Sequence, residues 1–158
     1  MRVTTADQAA VQAALNVLRE HGSTGEDIPV GAVVLNAEGH LLGIGWNQRT
    51  GRHDPTAHAE IIAIRQAAQA LGSWRLSDCT LAITLEPCPM CAGAAAAARI
   101  SRVVFGAWNP DYGAAGSLFD LLRDPRLPHR CEVVGGVLAE QCQAPITAFF
   151  AERRSAAD

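Results

Sequence analysis

The chain has 158 residues, of which 49% are hydrophobic, 18% charged and 5% aromatic. That is the length and make-up of one globular domain able to bury a core of its own, and it excludes a disordered or fibrous protein. The longest apolar stretches, such as residues 92–98, fall well short of the roughly 20 residues that a bilayer span requires, and no basic block precedes an apolar one at the N-terminus, so neither membrane insertion nor secretion is expected. A net charge of -3 and a pI near 5.9 leave no general attraction for nucleic acid, which would have to be held by a local patch.

Five cysteines form an odd set without a regular framework, which points to a reducing, cytoplasmic setting. All 13 basic residues are arginine, a choice that suits planar, bidentate phosphate contacts, although genome composition accounts for it equally well.

Apolar residues at helical spacing predict an amphipathic helix over residues 4–21, ended by Gly22. Residues 29–36 and 41–46 read as two strands of a hairpin with its turn at 37–39. A polar, turn-rich stretch over 47–56 delivers the chain into a second helix at 57–71, ended by Gly72. Residues 79–85 and 102–107 have the continuous apolar character of buried strands, and a third helix over 89–98 lies between them. A short helix at 117–123, a short strand at 131–134 and a closing helix at 138–154 complete the chain, with Pro145 inside the last helix. A proline there removes a hydrogen bond and costs about 3 kcal/mol unless the helix kinks or restarts. The alternation favours a three-layer α/β/α sandwich with a mixed five-stranded sheet, residues 1–158 forming one domain and the ligand lying beyond the strand ends where helices begin.

Two clusters fall at such places. His58-Ala59-Glu60 opens the second helix, and Pro87-Cys88-Pro89-Met90-Cys91 joins a strand to the third helix. One imidazole and two thiolates are the donor set of a catalytic zinc, which keeps its fourth position for water. Cysteines at i and i+3 on a first helical turn point the same way, and the positive ends of two helices favour thiolate over thiol. Glu60 follows His58 by two residues, which puts its carboxylate beside an ion without making it a ligand and lets it move protons. A closed structural zinc would need a fourth ligand. Cys79, Cys131, Cys142, His53 and His129 are available for that, but none is paired with another at ligand spacing.

Together these clusters match the H-x-E and P-C-x-x-C signature of zinc-dependent nucleobase deaminases. The wider stretches PVGAVV, GWN, GRHDPTAHAE, TLEPCPMCAGA, RVVFGA and GAAGSL resemble the bacterial tRNA-specific adenosine deaminases, in order and at matching intervals, from about Asp27 to Arg154. The resemblance implies a cytidine deaminase-like fold, one zinc ion per subunit and a homodimer converting the wobble adenosine of a tRNA anticodon stem-loop to inosine. It carries the metal ligands onto His58, Cys88 and Cys91, the proton shuttle onto Glu60, a base-contacting amide onto Asn47 and a C-terminal aromatic pair onto Phe149 and Phe150. Asn109 joins the substrate contacts in a loop where the family commonly has an acidic residue.

Asn47 also suits a turn, and Phe149 or Phe150 also suits the buried side of a last helix. Arg49, Arg52, Arg123, Arg126, Arg130, Arg153 and Arg154 lie in loops or near the C-terminus, where they could gather into a phosphate-binding rim or simply be solvated. Two other functions remain open from the residues: deamination of a free base or nucleoside such as guanine or cytosine, and a zinc-bearing scaffold without turnover, against which the intact Glu60 speaks.

Overall fold

The computed structural model describes residues 2–22 and 25–156. Helix α1 (Thr5–His21) starts where the sequence dictates, because Thr4 and Asp7 form a reciprocal capping box that satisfies two otherwise orphaned N–H groups. It leads into the antiparallel hairpin β1 (Gly31–Leu35) and β2 (Leu41–Trp46). The hairpin turn is held by the Asn36 side chain, which accepts from the backbone N–H groups of Glu38 and His40.

After β2 come a short helix α2 (Arg49–Arg52), α3 (Ala59–Leu71), β3 (Thr80–Leu85), α4 (Pro89–Ala97), β4 (Arg102–Ala107), β5 (Glu132–Val134) and α5 (Ala139–Ser155). The strands form one mixed sheet in the order β2-β1-β3-β4-β5, in which β1 is antiparallel to both neighbours while β3, β4 and β5 run parallel.

Period-two alternation sends side chains to two cores. Ala32, Val34, Leu81, Ile83, Val103 and Phe105 point toward α3 and α4. Val33, Ala82 and Val104 point the other way, where α1 covers one part of the sheet and α5 another. This is the three-layer arrangement expected from the sequence. Helix α3 lies unusually close to β2: a Cβ on Gly43 or Gly45 would come within 2.3 or 2.0 Å of the carbonyl oxygens of Ala63 and Ala59. Glycine at both places lets the helix rest on the strand backbone itself, which fixes where its N-terminus ends up.

Three local expectations differ from the structure. Residues 49–52 of the polar loop coil into α2, closed by His53 in the left-handed conformation. Residues 117–123 are not helical. They belong to a folded loop in which Ala115 bridges Asp120, Gly116 N donates to Phe119 O and Leu121 N to Ala114 O. Gly116 has φ +137°, outside the helical region, and the amides of Ala115 and Ser117 are spent on the Glu86 carboxylate rather than on a helix. Finally, α5 runs on through Pro145, so the proline neither stops nor restarts the helix.

One ion-pair network ties the layers together. The buried Asp7 carboxylate on α1 accepts from Nε and Nη2 of Arg102 on β4, at 3.1 and 2.8 Å, and Arg102 also pairs with Glu132 on β5. Burial by itself would raise the Asp7 carboxyl, but hydrogen bonds from Thr4 and the Arg102 guanidinium outweigh it and leave the group below its ordinary 3.8. Asp7→Asn should therefore destabilise the fold by about 2 kcal/mol at neutral pH, the range for hydrogen bonds to a charged group. Because the folded value is depressed, this contribution is present above pH 3.8 and lost as pH falls through the folded value. Urea unfolding of both proteins should thus show a difference that shrinks toward acid.

Candidate active site

Two helix N-termini meet beside the carboxyl end of β3. His58 is the residue before α3 and Cys88 the residue before α4, both in extended conformation, with Pro89 opening α4. Neither His58 nor Cys88 caps its helix with its own side chain. For α3 that work falls to Asn47, whose Oδ1 accepts from Ala59 N at 3.0 Å while its Nδ2 donates to Ile28 O at 2.9 Å. The histidine ring is thereby free to face the thiols.

His58 Nδ1 stands 3.7 Å from Cys88 Sγ and 3.5 Å from Cys91 Sγ, and the three donor atoms lie within 4.8 Å of one another. Among the described residues this is the one cluster of three His, Cys, Asp or Glu side chains placed to share an ion. The donor set is borderline to soft, buried on the cysteine side and open toward a cleft, which fits a catalytic rather than a closed zinc site. The remaining cysteines do not join it: Cys79, Cys131 and Cys142 are buried in the two cores as free thiols, and burial pushes Cys131 and Cys142 up to about 11.

Electrostatics set the three candidate ligands apart from ordinary side chains. A hydrogen bond from Cys91, followed by the neighbouring His58, brings the Cys88 thiol down to about 4 despite its burial. Cys91, as the donor in that bond, is held well above the usual thiol range. His58 is raised, first by its hydrogen bond with Cys88. Glu60, on the first turn of α3 and only 4% exposed, is pushed up to about 7 by loss of solvent, the range in which a carboxyl group both takes and gives a proton near neutrality.

The cleft above the cluster has a volume of about 410 Å³, within the size of small-molecule sites. Ile28, Val30 and Leu85 supply its apolar wall, and Glu60, Asn47 and Asn109 its polar groups. The site residues expected from the sequence thus divide. His58, Glu60, Cys88, Cys91, Asn47 and Asn109 come together, but Phe149 and Phe150 do not line the cleft. They pack against each other edge to face on α5, with centroids 5.3 Å apart and the Arg153 guanidinium over Phe149, and Phe150 is exposed. Arg153 in turn donates to the carbonyls of Gly25 and Glu26, which ties this end of α5 to the segment leading to Ile28. Of the described loop arginines, Arg49 lines the cleft, and Arg123 and Arg126 are paired with Asp120 and Asp124.

Sequence reasoning missed Tyr112, Met90 and Glu86, which also line the cleft. Tyr112 and Met90 carry no local signal. Glu86 does: it is a charged residue ending an otherwise apolar strand, and in the structure it is 1% exposed.

Residues 4–107 match the model for the cytidine and deoxycytidylate deaminase zinc-binding region. The chain is 43% identical to a tRNA-specific adenosine deaminase of Bacillus subtilis, over 95% of this chain and 92% of that one. It is 45% identical to a tRNA-specific adenosine deaminase of Haemophilus influenzae, over 94% and 85%. A solved structure from biochemical and structural studies of A-to-I editing by tRNA:A34 deaminases at the wobble position of transfer RNA superposes with a TM-score of 0.81 at 36% identity, covering 87% of this chain and 98% of that one.

The geometry separates ligand from neighbour. Cys88→Ala should lose bound zinc, whereas Glu60→Ala should keep it at the wild-type level, as elemental analysis of the purified proteins will read; a zinc-free Glu60→Ala protein would contradict the non-ligand placement of Glu60.

Proposed function

Because this chain belongs to the cytidine and deoxycytidylate deaminase family, we propose that it hydrolyses the exocyclic amine of adenosine at the wobble position of a tRNA anticodon, leaving inosine and ammonia. The observation that carries the reading is the cluster of His58, Cys88 and Cys91 at a cleft of about 410 Å³, with the buried Glu60 beside it. The choice of substrate is supported by similarity to tRNA-specific adenosine deaminases along most of both chains. The reading includes one zinc ion per subunit, a homodimer, a cytoplasmic setting and one deaminase domain over residues 1–158. Among the described residues no helix is long and apolar enough to cross a membrane.

His58 Nδ1 and the Sγ atoms of Cys88 and Cys91 would hold the zinc, which when bound supplies Lewis-acid activation of water for attack at C6 of the purine. Glu60 does the proton work. It accepts a proton from the attacking water and passes it to the ring nitrogen next to the reacting carbon, then takes the remaining hydroxyl proton of the C6 adduct and delivers it to the amine, which departs as ammonia as the C–N bond breaks and the C6 carbonyl forms. Burial suits Glu60 to both halves of that cycle, since a carboxyl group near 7 gives up the proton almost as readily as it takes it. Asn47 uses one amide hydrogen and its oxygen to hold the loop, and its second N–H is the group we assign to the purine edge. Asn109 borders the same cleft. Phe149 and Phe150, which lie outside it, would meet flanking nucleotides rather than the reacting base.

Incubation of the zinc-loaded protein with an anticodon stem-loop carrying adenosine at the wobble position, beside free guanine and cytosine, tests the reading. Inosine in the stem-loop alone is expected, with Glu60→Ala slower by about a hundredfold to ten-thousandfold and the wild type losing affinity for the RNA as salt rises. Ammonia from a free base alone would overturn the tRNA assignment and leave the zinc chemistry standing.

A further inference from the structure

Among the described residues Glu86 is the one buried polar side chain on the cleft that the chemistry above leaves without a task. Its carboxylate is occupied on both oxygens. Oε1 accepts from Ala115 N at 3.0 Å and Ser117 N at 2.9 Å, while Oε2 accepts from Asn109 N at 3.0 Å and from the Ser117 hydroxyl. Four donors fill the roughly four acceptor sites of an ionised carboxylate. A group so engaged has no lone pair left for substrate, in contrast to Glu60.

All four donors come from one segment, residues 109–117, which returns over the cleft after β4. Gly113 sits directly on the carboxylate, where a Cβ would come within 2.2 Å of Oε2. The same segment is tied to the strand end by Ala114 N donating to Pro87 O at 2.8 Å, and Glu86 N itself donates to Ala107 O. Asn109 and Tyr112, both cleft-lining, are therefore carried on a loop anchored on Glu86, two residues before Cys88 in the chain.

We propose that Glu86 is a positioning residue for the deamination: it holds residues 109–117 in the conformation that presents Asn109 and Tyr112 to the incoming nucleotide. This role rests on the proposed function for the identity of the substrate, and not for the state of the loop. Because the carboxylate accepts four bonds from one loop and donates none, replacing one oxygen by an amide sets N–H against N–H, so Glu86→Gln breaks the arrangement while keeping the side-chain shape.

The test uses the zinc-loaded protein with Glu86→Gln and, as a milder change on the exposed side of the same cluster, Ser117→Ala. Amide hydrogen exchange should speed up across residues 109–117 in Glu86→Gln while α3 and α4 keep their protection, and zinc content should not change. With the anticodon stem-loop, KM should rise by about tenfold in Glu86→Gln, near the low end for hydrogen bonds to a charged group, and by about threefold in Ser117→Ala, where the backbone bonds to Glu86 remain, with kcat moving less than KM. Unchanged exchange over 109–117 in Glu86→Gln would overturn the proposal whatever the substrate. Faster exchange with KM unmoved would also overturn it, by showing a loop that matters to stability alone. If Glu86→Gln does not fold, Ser117→Ala decides: a threefold rise in KM at unchanged Tm supports the role, and no rise refutes it. Should the wild type act on a free base and not on the stem-loop, the tRNA reading fails, and the same KM comparison made with that base judges Glu86 separately.

Discussion

The site depends on a constraint of a few ångströms: donor atoms on two different helices must lie within 4.8 Å of one another. Neither helix carries the cluster alone, so the relative placement of two N-termini decides whether it exists. On one side, α3 rests on the bare backbone of β2 at Gly43 and Gly45, and Asn47 pins its first amide to the end of that strand. On the other, Cys88 follows the end of β3, a strand buried between β1 and β4. Since β1 bonds both β2 and β3, the distance from His58 to Cys88 is set by three strands in register. A larger residue at Gly45 would push α3, and His58 with it, off that reference.

Converging N-termini also bring an electrostatic consequence. Unpaired N–H groups and aligned peptide dipoles at both helix starts favour anionic sulfur, and the Cys88 thiol is brought down to about 4, chiefly by its bond from Cys91 and by His58. The same buried neighbourhood acts oppositely on Glu60, which faces no donor set comparable to that of Glu86 and is raised to about 7. The Cys88 thiol is thus drawn toward its charged form while burial keeps Glu60 near neutrality.

Three buried carboxylates show how surroundings assign different work to one functional group. Asp7 is bound to a guanidinium and cements α1 to β4. Glu86 is filled by four donors from a single loop and gives that loop its shape. Glu60 stands at the cleft beside the metal-binding cluster. Burial would be costly for each of them without compensation, which Asp7 and Glu86 find in hydrogen bonds from distant parts of the chain.

Periodicity and end signals in the sequence were enough for the long elements: apolar spacing and the terminating Gly22 and Gly72 marked α1 and α3, and the apolar runs became β3 and β4. The spacing of His58, Cys88 and Cys91 likewise picked out the three side chains that the fold places to share an ion, because a zinc donor set is written in residue types at helix starts, where local rules hold. Tertiary contacts decided the rest. Residues 117–123 read as a helix, but Ser117 gives its amide to Glu86, more than thirty positions away, Leu118 and Phe119 give theirs to Gly113 and Leu121 to Ala114, and Phe149 and Phe150 took their place from the side of the sheet that α5 covers. Local propensity is visible in a window of a few residues. A hydrogen bond to a distant carboxylate, or the choice of sheet face, belongs to the folded chain and is settled only when the strands are in register.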